Sequence, residues 1–103
     1  MLTPNRERRL LDLCARLIRI PSYSSQEADI VAFLETQFRE TGFHHIDRDA
    51  YGSIVGCIKG GRKGKRLLFD AHVDTVPVTD PAIWSHDPFG GKIVEARLYG
   101  RGG

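Results

Sequence analysis

The sequence has only two cysteines, almost no net charge and no motif that pairs cysteines closely. Cys14 and Cys57 are far apart and neither belongs to a CxxC pair, which argues against a zinc ribbon or a CxxC redox motif. We expect both to be small core residues. A formal charge of +2 over 103 residues is too small to indicate nucleic-acid binding, which needs basic side chains concentrated on one face. The one dense basic run, residues 62–66, is bracketed by glycines and predicts a solvated turn rather than a phosphate-binding patch.

Long apolar runs are absent as well. Arg16 and Arg19 interrupt the stretch of residues 10–20, so the N-terminus lacks the continuous apolar core of a signal peptide. No run approaches the roughly 20 apolar residues that cross a bilayer. The expectation is therefore a cytoplasmic protein without membrane or nucleic-acid partners. Its charged fraction of 27% and hydrophobic fraction of 41% are ordinary for a globular domain.

A first helix is predicted near the N-terminus. Thr3 and Pro4 suit the N-cap and first helical positions, because proline needs no hydrogen-bond acceptor there. Apolar residues then recur at helical spacing until Pro21 stops the pattern. We expect one amphipathic helix with a stripe that faces the core.

A second helix follows. Ser24 and Glu27 have the spacing of a capping box, which predicts that this helix starts there. At its end Gly42 can take the left-handed conformation, while Phe43 packs back on Phe38. Both boundaries of the second helix are thus predicted from local signals.

After the second helix the pattern becomes that of strands. Residues 53–59 and 66–73 have the aliphatic and β-branched runs of strands, and a glycine-rich turn at residues 60–64 predicts that they form a hairpin or neighbouring strands. Residues 67–69 are continuously apolar, which suits a strand covered on both faces by helices. Residues 76–91 are predicted to be a loop. The expected fold class is α/β, with a mixed, largely parallel sheet flanked by helices.

The last part of the sequence predicts two further short strands, around Ile93-Val94 and residues 97–99. No repeat or linker divides the chain, so residues 1–103 are taken as part of one domain. A glycine-rich loop directly follows the final predicted strand, and neither the strand nor the loop has a covering partner in the sequence. We therefore expect the chain to be incomplete.

His72 and Asp74 follow the apolar run, at the end of a strand where α/β sheets carry functional groups. Residues i and i+2 of extended backbone project to the same side, so the Asp74 carboxylate can approach the His72 imidazole. Such a carboxylate fixes the tautomer of the ring and leaves the other nitrogen for a metal. The alternative is a histidine that satisfies a local hydrogen bond near a strand end.

One imidazole cannot hold a catalytic zinc ion, which has about three protein ligands. His86 and Asp87 are the nearest further candidates, but their aromatic and proline-rich surroundings favour loop packing. His44 and His45 are more simply explained as cations near the C-terminal dipole of the second helix. Arg101, between glycines, is expected to brace a loop rather than to bind an anion.

Three motifs in this order and spacing resemble the acetylornithine deacetylase / succinyl-diaminopimelate desuccinylase / aminoacylase family of zinc metallopeptidases. They are LFDAHVDTVP at residues 68–77, Trp84 with DPF at residues 87–89, and LYGRG at residues 98–102. The resemblance extends from about residue 21 to the end of the chain. Within the family, residues 69–80 and 84–90 most resemble the hydrolases linked to selenium metabolism.

The resemblance implies a two-domain enzyme, of which residues 1–103 are the N-terminal part of the catalytic zinc-peptidase domain. His72 matches the first zinc ligand, and Asp74 matches the catalytic-centre aspartate that orients it. The bridging aspartate, the glutamate pair whose first member is the general base, and the later ligands would lie beyond Gly103. The 103 residues alone are therefore expected to be inactive. Glu95 and Ala96 replace the Asp-Gly turn of many relatives, which leaves the turn type open.

The implied reaction is hydrolysis of an amide bond in an N-acyl amino acid or small peptide. The resemblance implies two Zn²⁺ ions per full-length subunit and a homodimer; Co²⁺ and Mn²⁺ are alternatives, because histidine and carboxylate ligands accept all three metals. The rival hypothesis is a non-catalytic α/β binding or interaction module. An aspartate soon after Gly103 in the encoded protein, and a later glutamate pair, would exclude that rival.

Overall fold

The structure, a computed structural model, describes residues 1–103. It contains both helices and strands, which confirms a mixed α/β chain. The helices are α1 (Pro4–Arg19), α2 (Ala28–Thr41) and one turn of 3-10 helix (Pro81–Ile83). The strands are β1 (His45–Arg48), β2 (Ile54–Cys57), β3 (Lys92–Val94) and β4 (Arg97–Tyr99). Neither long helix has the length and apolar character that a membrane crossing requires.

Helix α1 begins and ends where the sequence predicts. The Thr3 hydroxyl accepts a hydrogen bond from the amide of Arg6 at 3.4 Å, and the helix starts at the proline that follows Thr3. Ile20 leaves the helical conformation, as expected for a residue before proline. Ala15 and Ile18 are the buried residues of α1, so the predicted core-facing stripe is confined to its C-terminal half.

Helix α2 begins at Ala28, and the predicted start at Ser24 is wrong. Ser25 has a φ of +68°, which is outside the right-handed helical region, so the helix cannot include this residue. The Glu27 carboxylate accepts from the amide of Ser25 at 2.9 Å, so the predicted reciprocal capping box does not form. The Ser24 hydroxyl is occupied elsewhere, since it donates to the carboxylate of Asp74.

The C-terminus of α2 confirms the prediction. Gly42 has a φ of +89°, and its amide donates to the carbonyls of the last helical turn. The rings of Phe38 and Phe43 stack with their centroids 4.3 Å apart. This ring pair lies against Gly56, where a Cβ atom would come within 2.5 Å of Phe43. Glycine at this position lets β2 approach the end of α2.

Strands β1 and β2 form an antiparallel hairpin. β2 lies within the predicted strand at residues 53–59, but the predicted pairing with residues 66–73 is wrong. The intervening loop is short, and the Asp49 carboxylate accepts from the amides of Tyr51 and Ser53, each at 2.9 Å. These local bonds close a short loop between β1 and β2, so the loss of chain entropy is small. Pairing β2 with residues 66–73 would have to close a longer loop, which costs more entropy.

Residues 66–73 form no strand in this structure. Leu67, Leu68 and Phe69 are 83%, 85% and 91% exposed, whereas the sequence predicts a covered strand. A strand needs a neighbour for its backbone amides and carbonyls, and all four strands of the chain pair within their own hairpins. Both sheets of this structure have two strands and are antiparallel. They do not form the predicted largely parallel sheet, which stays a prediction.

Strands β3 and β4 confirm the predicted second pair. Their turn residues Glu95 and Ala96 have φ values of +48° and +60°. Two central residues with positive φ are typical of a type I′ turn, so the chain makes this turn without Asp-Gly. The segment before β3 rests on α1, because the Arg19 side chain donates to the carbonyl of Gly90 at 2.9 Å.

The two cysteines depart from the prediction to different degrees. Cys14, on α1, is half-buried. Cys57 is exposed, so its prediction as a core residue is wrong. Burial alternates along β2, and Cys57 lies on the outward side of the strand.

Candidate metal centre at His72 and Asp74

His72 and Asp74 are in contact in the irregular segment after the apolar run. The Nδ1 atom of His72 lies 3.2 Å from Oδ1 of Asp74 and 3.0 Å from its main-chain oxygen. The imidazole is 85% exposed, and its Nε2 atom makes no hydrogen bond within the chain. The ring therefore faces Asp74 through one nitrogen and offers the other to a ligand.

The Asp74 carboxylate is held from its other side by Ser24. The Ser24 hydroxyl donates to Oδ2 of Asp74 at 2.5 Å, a charge-assisted hydrogen bond. This bond is the main cause that lowers the pKa of Asp74 below its ordinary value; desolvation opposes it, and the nearby His72 imidazole makes a lesser contribution that lowers the pKa further. Asp74 thus stays ionised, and its two oxygens serve different partners.

The backbone on both sides of Asp74 is tied to the loop between α1 and α2. Ser22 is completely buried, and its hydroxyl donates to the carbonyl of Val73 at 2.9 Å. The amide of Thr75 donates to the carbonyl of Ser22 at 2.7 Å, and the Thr75 hydroxyl lies 3.1 Å from that of Ser22. Because these contacts flank Asp74, they fix the backbone from which its side chain projects.

Arg101 contacts the loop between α1 and α2, as expected for a residue that braces a loop. Its guanidinium lies over the rings of Phe89 and Tyr23, at 4.7 and 5.7 Å from their centroids, and is almost fully buried. Its Nη2 atom donates to the carbonyl of Ile20 at 3.4 Å, and its amide donates to the carbonyl of Pro88 at 2.7 Å. Nε and Nη1 have no hydrogen-bond partner within the chain.

An open cleft with a volume of about 1440 Å³ lies beside the histidine and aspartate. Polar and apolar residues share its wall, among them Tyr23, Phe69, His72, Asp74, Leu98 and Arg101. A cleft of this composition can accept a small molecule with an apolar part and a polar group to be fixed in place.

The other three histidines have partners other than Asp74. His86 packs its ring on Tyr99, with centroids 4.0 Å apart. His44 accepts from the amide of Lys59, and His45 belongs to β1, where its Nε2 lies 3.0 Å from the carboxylate of Asp47. Their side chains are thus engaged with Lys59 and Asp47, and a favourable interaction of either histidine with the C-terminal dipole of α2 stays a prediction.

The 103 residues contain no group of three His, Cys, Asp or Glu side chains that could hold a metal ion. The His72 imidazole faces the Asp74 carboxylate through one nitrogen and leaves the other exposed, which is the arrangement of a single oriented metal ligand; His45 and Asp47 form a similar pair in the β1–β2 hairpin. His72 and Asp74 therefore fit a zinc site as one ligand and its orienting partner. A complete site needs further ligands from elsewhere.

Two residues of this site were missed by reasoning from the sequence. The sequence predicts a helix cap for Ser24 and no separate role for Ser22. Ser24 and Asp74 are 50 positions apart, so no local pattern joins them. Two signals are available in the sequence: the Ser24–Glu27 spacing, which is equally typical of a capping box, and the family resemblance, which starts near residue 21.

Comparison with known proteins gives relatives over most of the chain. It is 39% identical over 94 residues to a succinyl-diaminopimelate desuccinylase of Cereibacter sphaeroides, a match that covers 87% of this chain and 24% of the relative. It is 35% identical over 94 residues to succinyl-diaminopimelate desuccinylase 1 of a Ruegeria species, covering 89% and 25% of the two chains. The desuccinylase of Methylocella silvestris is 35% identical over 97 residues, with the same coverage.

The chain belongs to the acetylornithine deacetylase / succinyl-diaminopimelate desuccinylase / aminoacylase family. This deacylase family is a family of enzymes, which favours a hydrolase over the non-catalytic binding module. The chain spans about a quarter of the length of the curated relatives it matches. No family model and no solved structure match the chain. The relatives do not test the finer likeness to the selenium-linked members of the deacylase family, which stays a prediction.

Proposed function

We propose that the protein carrying this chain is a two-zinc hydrolase that cleaves the amide bond of an N-acyl amino acid or a small peptide. The observation that carries the proposal is the contact between Nδ1 of His72 and the carboxylate of Asp74, in a chain 35–39% identical to desuccinylases. Zinc is the expected metal, with cobalt and manganese as alternatives.

His72 binds the metal through Nε2 in this proposal. Asp74 accepts the hydrogen bond of Nδ1, so it holds the imidazole in the tautomer whose Nε2 lone pair is free. When bound, zinc supplies Lewis-acid polarisation of the amide carbonyl and a more acidic water. The remaining ligands and the general base belong to parts of the protein outside these 103 residues.

The cleft beside His72 supplies the place for the substrate. Its wall combines apolar side chains with the polar groups of the centre, so an acyl chain can pack while the amide lies near the metal ligand. Tight positioning of a reacting group is a large part of enzymatic rate enhancement. The chain thus contributes one ligand, its orienting carboxylate and one wall of the binding site.

The exposed apolar run supports a larger catalytic domain around this chain. Leu67, Leu68 and Phe69 leave more than four fifths of their surface in water. Full burial of such a side chain is favourable by about 1.5–3 kcal/mol. We propose that residues 66–73 become a strand of a largely parallel sheet in the complete zinc-peptidase domain, where neighbouring strands and helices cover them. Homodimerisation and a cytoplasmic location remain predictions.

Amide hydrolysis by the full-length protein tests the proposal. Purified protein is incubated with succinyl-diaminopimelate, acetylornithine and a dipeptide, and the released primary amine is measured. We expect release from at least one of them, loss of release with a chelator, and recovery on adding Zn²⁺.

His72→Ala is expected to abolish the release of amine. His86→Ala is the matched control, because His86 packs on Tyr99 and makes no hydrogen bond to His72 or Asp74, and it is expected to keep most of the activity. Release that persists unchanged in the chelator or in His72→Ala would refute the proposal.

A further inference from the structure

We propose that Ser24 is a positioning residue of this metal centre, which fixes the Asp74 carboxylate so that one of its oxygens faces His72. The inference rests on the proposed function and adds to it a residue that acts through Asp74. It starts from a hydrogen bond that joins two segments 50 positions apart.

The two oxygens of Asp74 have separate partners. Oδ2 accepts from the Ser24 hydroxyl at 2.5 Å, and Oδ1 lies 3.2 Å from Nδ1 of His72. A carboxylate held at only one oxygen can rotate about the bond that joins it to Cβ. The bond from Ser24 removes this freedom, and Oδ1 then points at the imidazole.

The backbone around Ser24 is not helical, which leaves its side chain free to contact Asp74. Ser25 has a φ of +68°, a region that non-glycine residues seldom adopt, and α2 does not begin until Ala28. Strained backbone that persists in a structure is often found at functional sites. Here it turns the Ser24 side chain away from the helix terminus and toward Asp74.

Both ends of the contact are supported by neighbouring residues. On one side, Ser22 binds the main chain of Val73 and Thr75, which flank Asp74. On the other side, Arg101 donates to the carbonyl of Ile20 in the same loop. Ser24 therefore projects from a loop that is held in place independently of its own hydroxyl, and its removal should disturb the carboxylate more than the loop.

Loss of a partner that orients a metal ligand typically weakens metal binding about 10–100-fold. Ser24 acts one step farther from the metal, so we expect Ser24→Ala to weaken zinc binding by the full-length protein about 10-fold. The affinity is measured by competition with a chromophoric chelator, in parallel with the thermal unfolding midpoint of each variant. A positioning role lowers the affinity while the midpoint stays close to that of the wild type.

Two further variants give the controls. Ser24→Thr keeps the hydroxyl and is expected to bind zinc nearly as well as the wild type. Ser85→Ala removes an exposed hydroxyl that makes no hydrogen bond within the chain, and its affinity should be unchanged. Unchanged zinc affinity in Ser24→Ala, or a loss that Ser24→Thr does not restore, would overturn the inference.

Measured alongside these variants, His72→Ala separates this inference from the proposed function. If His72→Ala loses zinc but Ser24→Ala does not, the metal centre stands and the role of Ser24 is refuted. If His72→Ala binds zinc like the wild type, the metal centre itself is wrong and the inference falls with it.

Discussion

Gly91 allows the segment before β3 to lie directly on α1, and its replacement by alanine should separate the two. The residue has a φ of +57°, and a Cβ atom added there would lie 2.5 Å from the carbonyl oxygen of Ala15. The Cα and carbonyl carbon of Ala15 would both be 3.1 Å away. These are backbone atoms of a helix, so they cannot move aside as the end of a flexible side chain can.

The cost of Gly91→Ala has two parts. An alanine in the left-handed region costs about 1–2 kcal/mol. Inserting a methyl group into a closely packed contact costs about 1–3 kcal/mol more. We therefore expect a loss of about 2–5 kcal/mol in the free energy of unfolding.

Gly42→Ala is the matched control for this prediction. Gly42 has a φ of +89°, but no atom lies within 4 Å of its added Cβ. It should lose only the conformational part, about 1–2 kcal/mol. Both variants are measured by urea unfolding under the same conditions, and the difference isolates the contact with α1. If Gly91→Ala costs no more than Gly42→Ala, the close packing of this segment on α1 is refuted.

Three other changes probe the remaining contacts. Ser22→Ala leaves the carbonyl of Val73 without its hydrogen bond and should cost about 1–3 kcal/mol in urea unfolding, whereas a negligible cost would contradict the tie. Gly56→Ala brings a methyl group against the ring of Phe43 and should cost about 1–3 kcal/mol in the same assay; unchanged stability would count against this packing. The amide of Ser53 is the main cause that lowers the pKa of Asp49, so its carboxylate should titrate below 3.8 by NMR. Its stabilising contribution is complete above the unfolded pKa and is lost as the pH falls through the lowered folded value; a titration midpoint at or above 3.8 would contradict this.

The helices were largely predictable because their signals are local. Thr3 and the proline after it define the start of α1, and Gly42 with the stacked Phe38 and Phe43 defines the end of α2. Each signal acts within a few residues, so it works whatever the rest of the chain does. The same holds for β3 and β4, whose turn closes locally.

The segment at residues 66–73 was not predictable in the same way. Three consecutive apolar residues indicate a covered strand, but the strand forms only where another strand offers its backbone. The structure gives Leu67 to Phe69 no such partner, so the run stays exposed. β2 meanwhile pairs with the nearer β1, whose connection closes through Asp49.

Of the two contacts of Asp74 in the metal centre, the one with His72 was predictable from the sequence and the one with Ser24 was not. His72 and Asp74 are two positions apart, so their contact follows from their spacing and their residue types. The contact of Ser24 with Asp74 depends on how the loop after α1 meets a distant segment. The spacing of Ser24 and Glu27 also predicts a helix cap. In the structure Ser24 bonds to Asp74 instead and does not cap α2.

The zinc content of the full-length protein, compared between the wild type and His72→Ala, tests the central claim most directly. We expect two zinc ions per wild-type subunit and the same number in His86→Ala. The His72→Ala protein should lose at least one of them, because its first ligand is gone. Unchanged zinc stoichiometry in His72→Ala would contradict the assignment of His72 as a metal ligand.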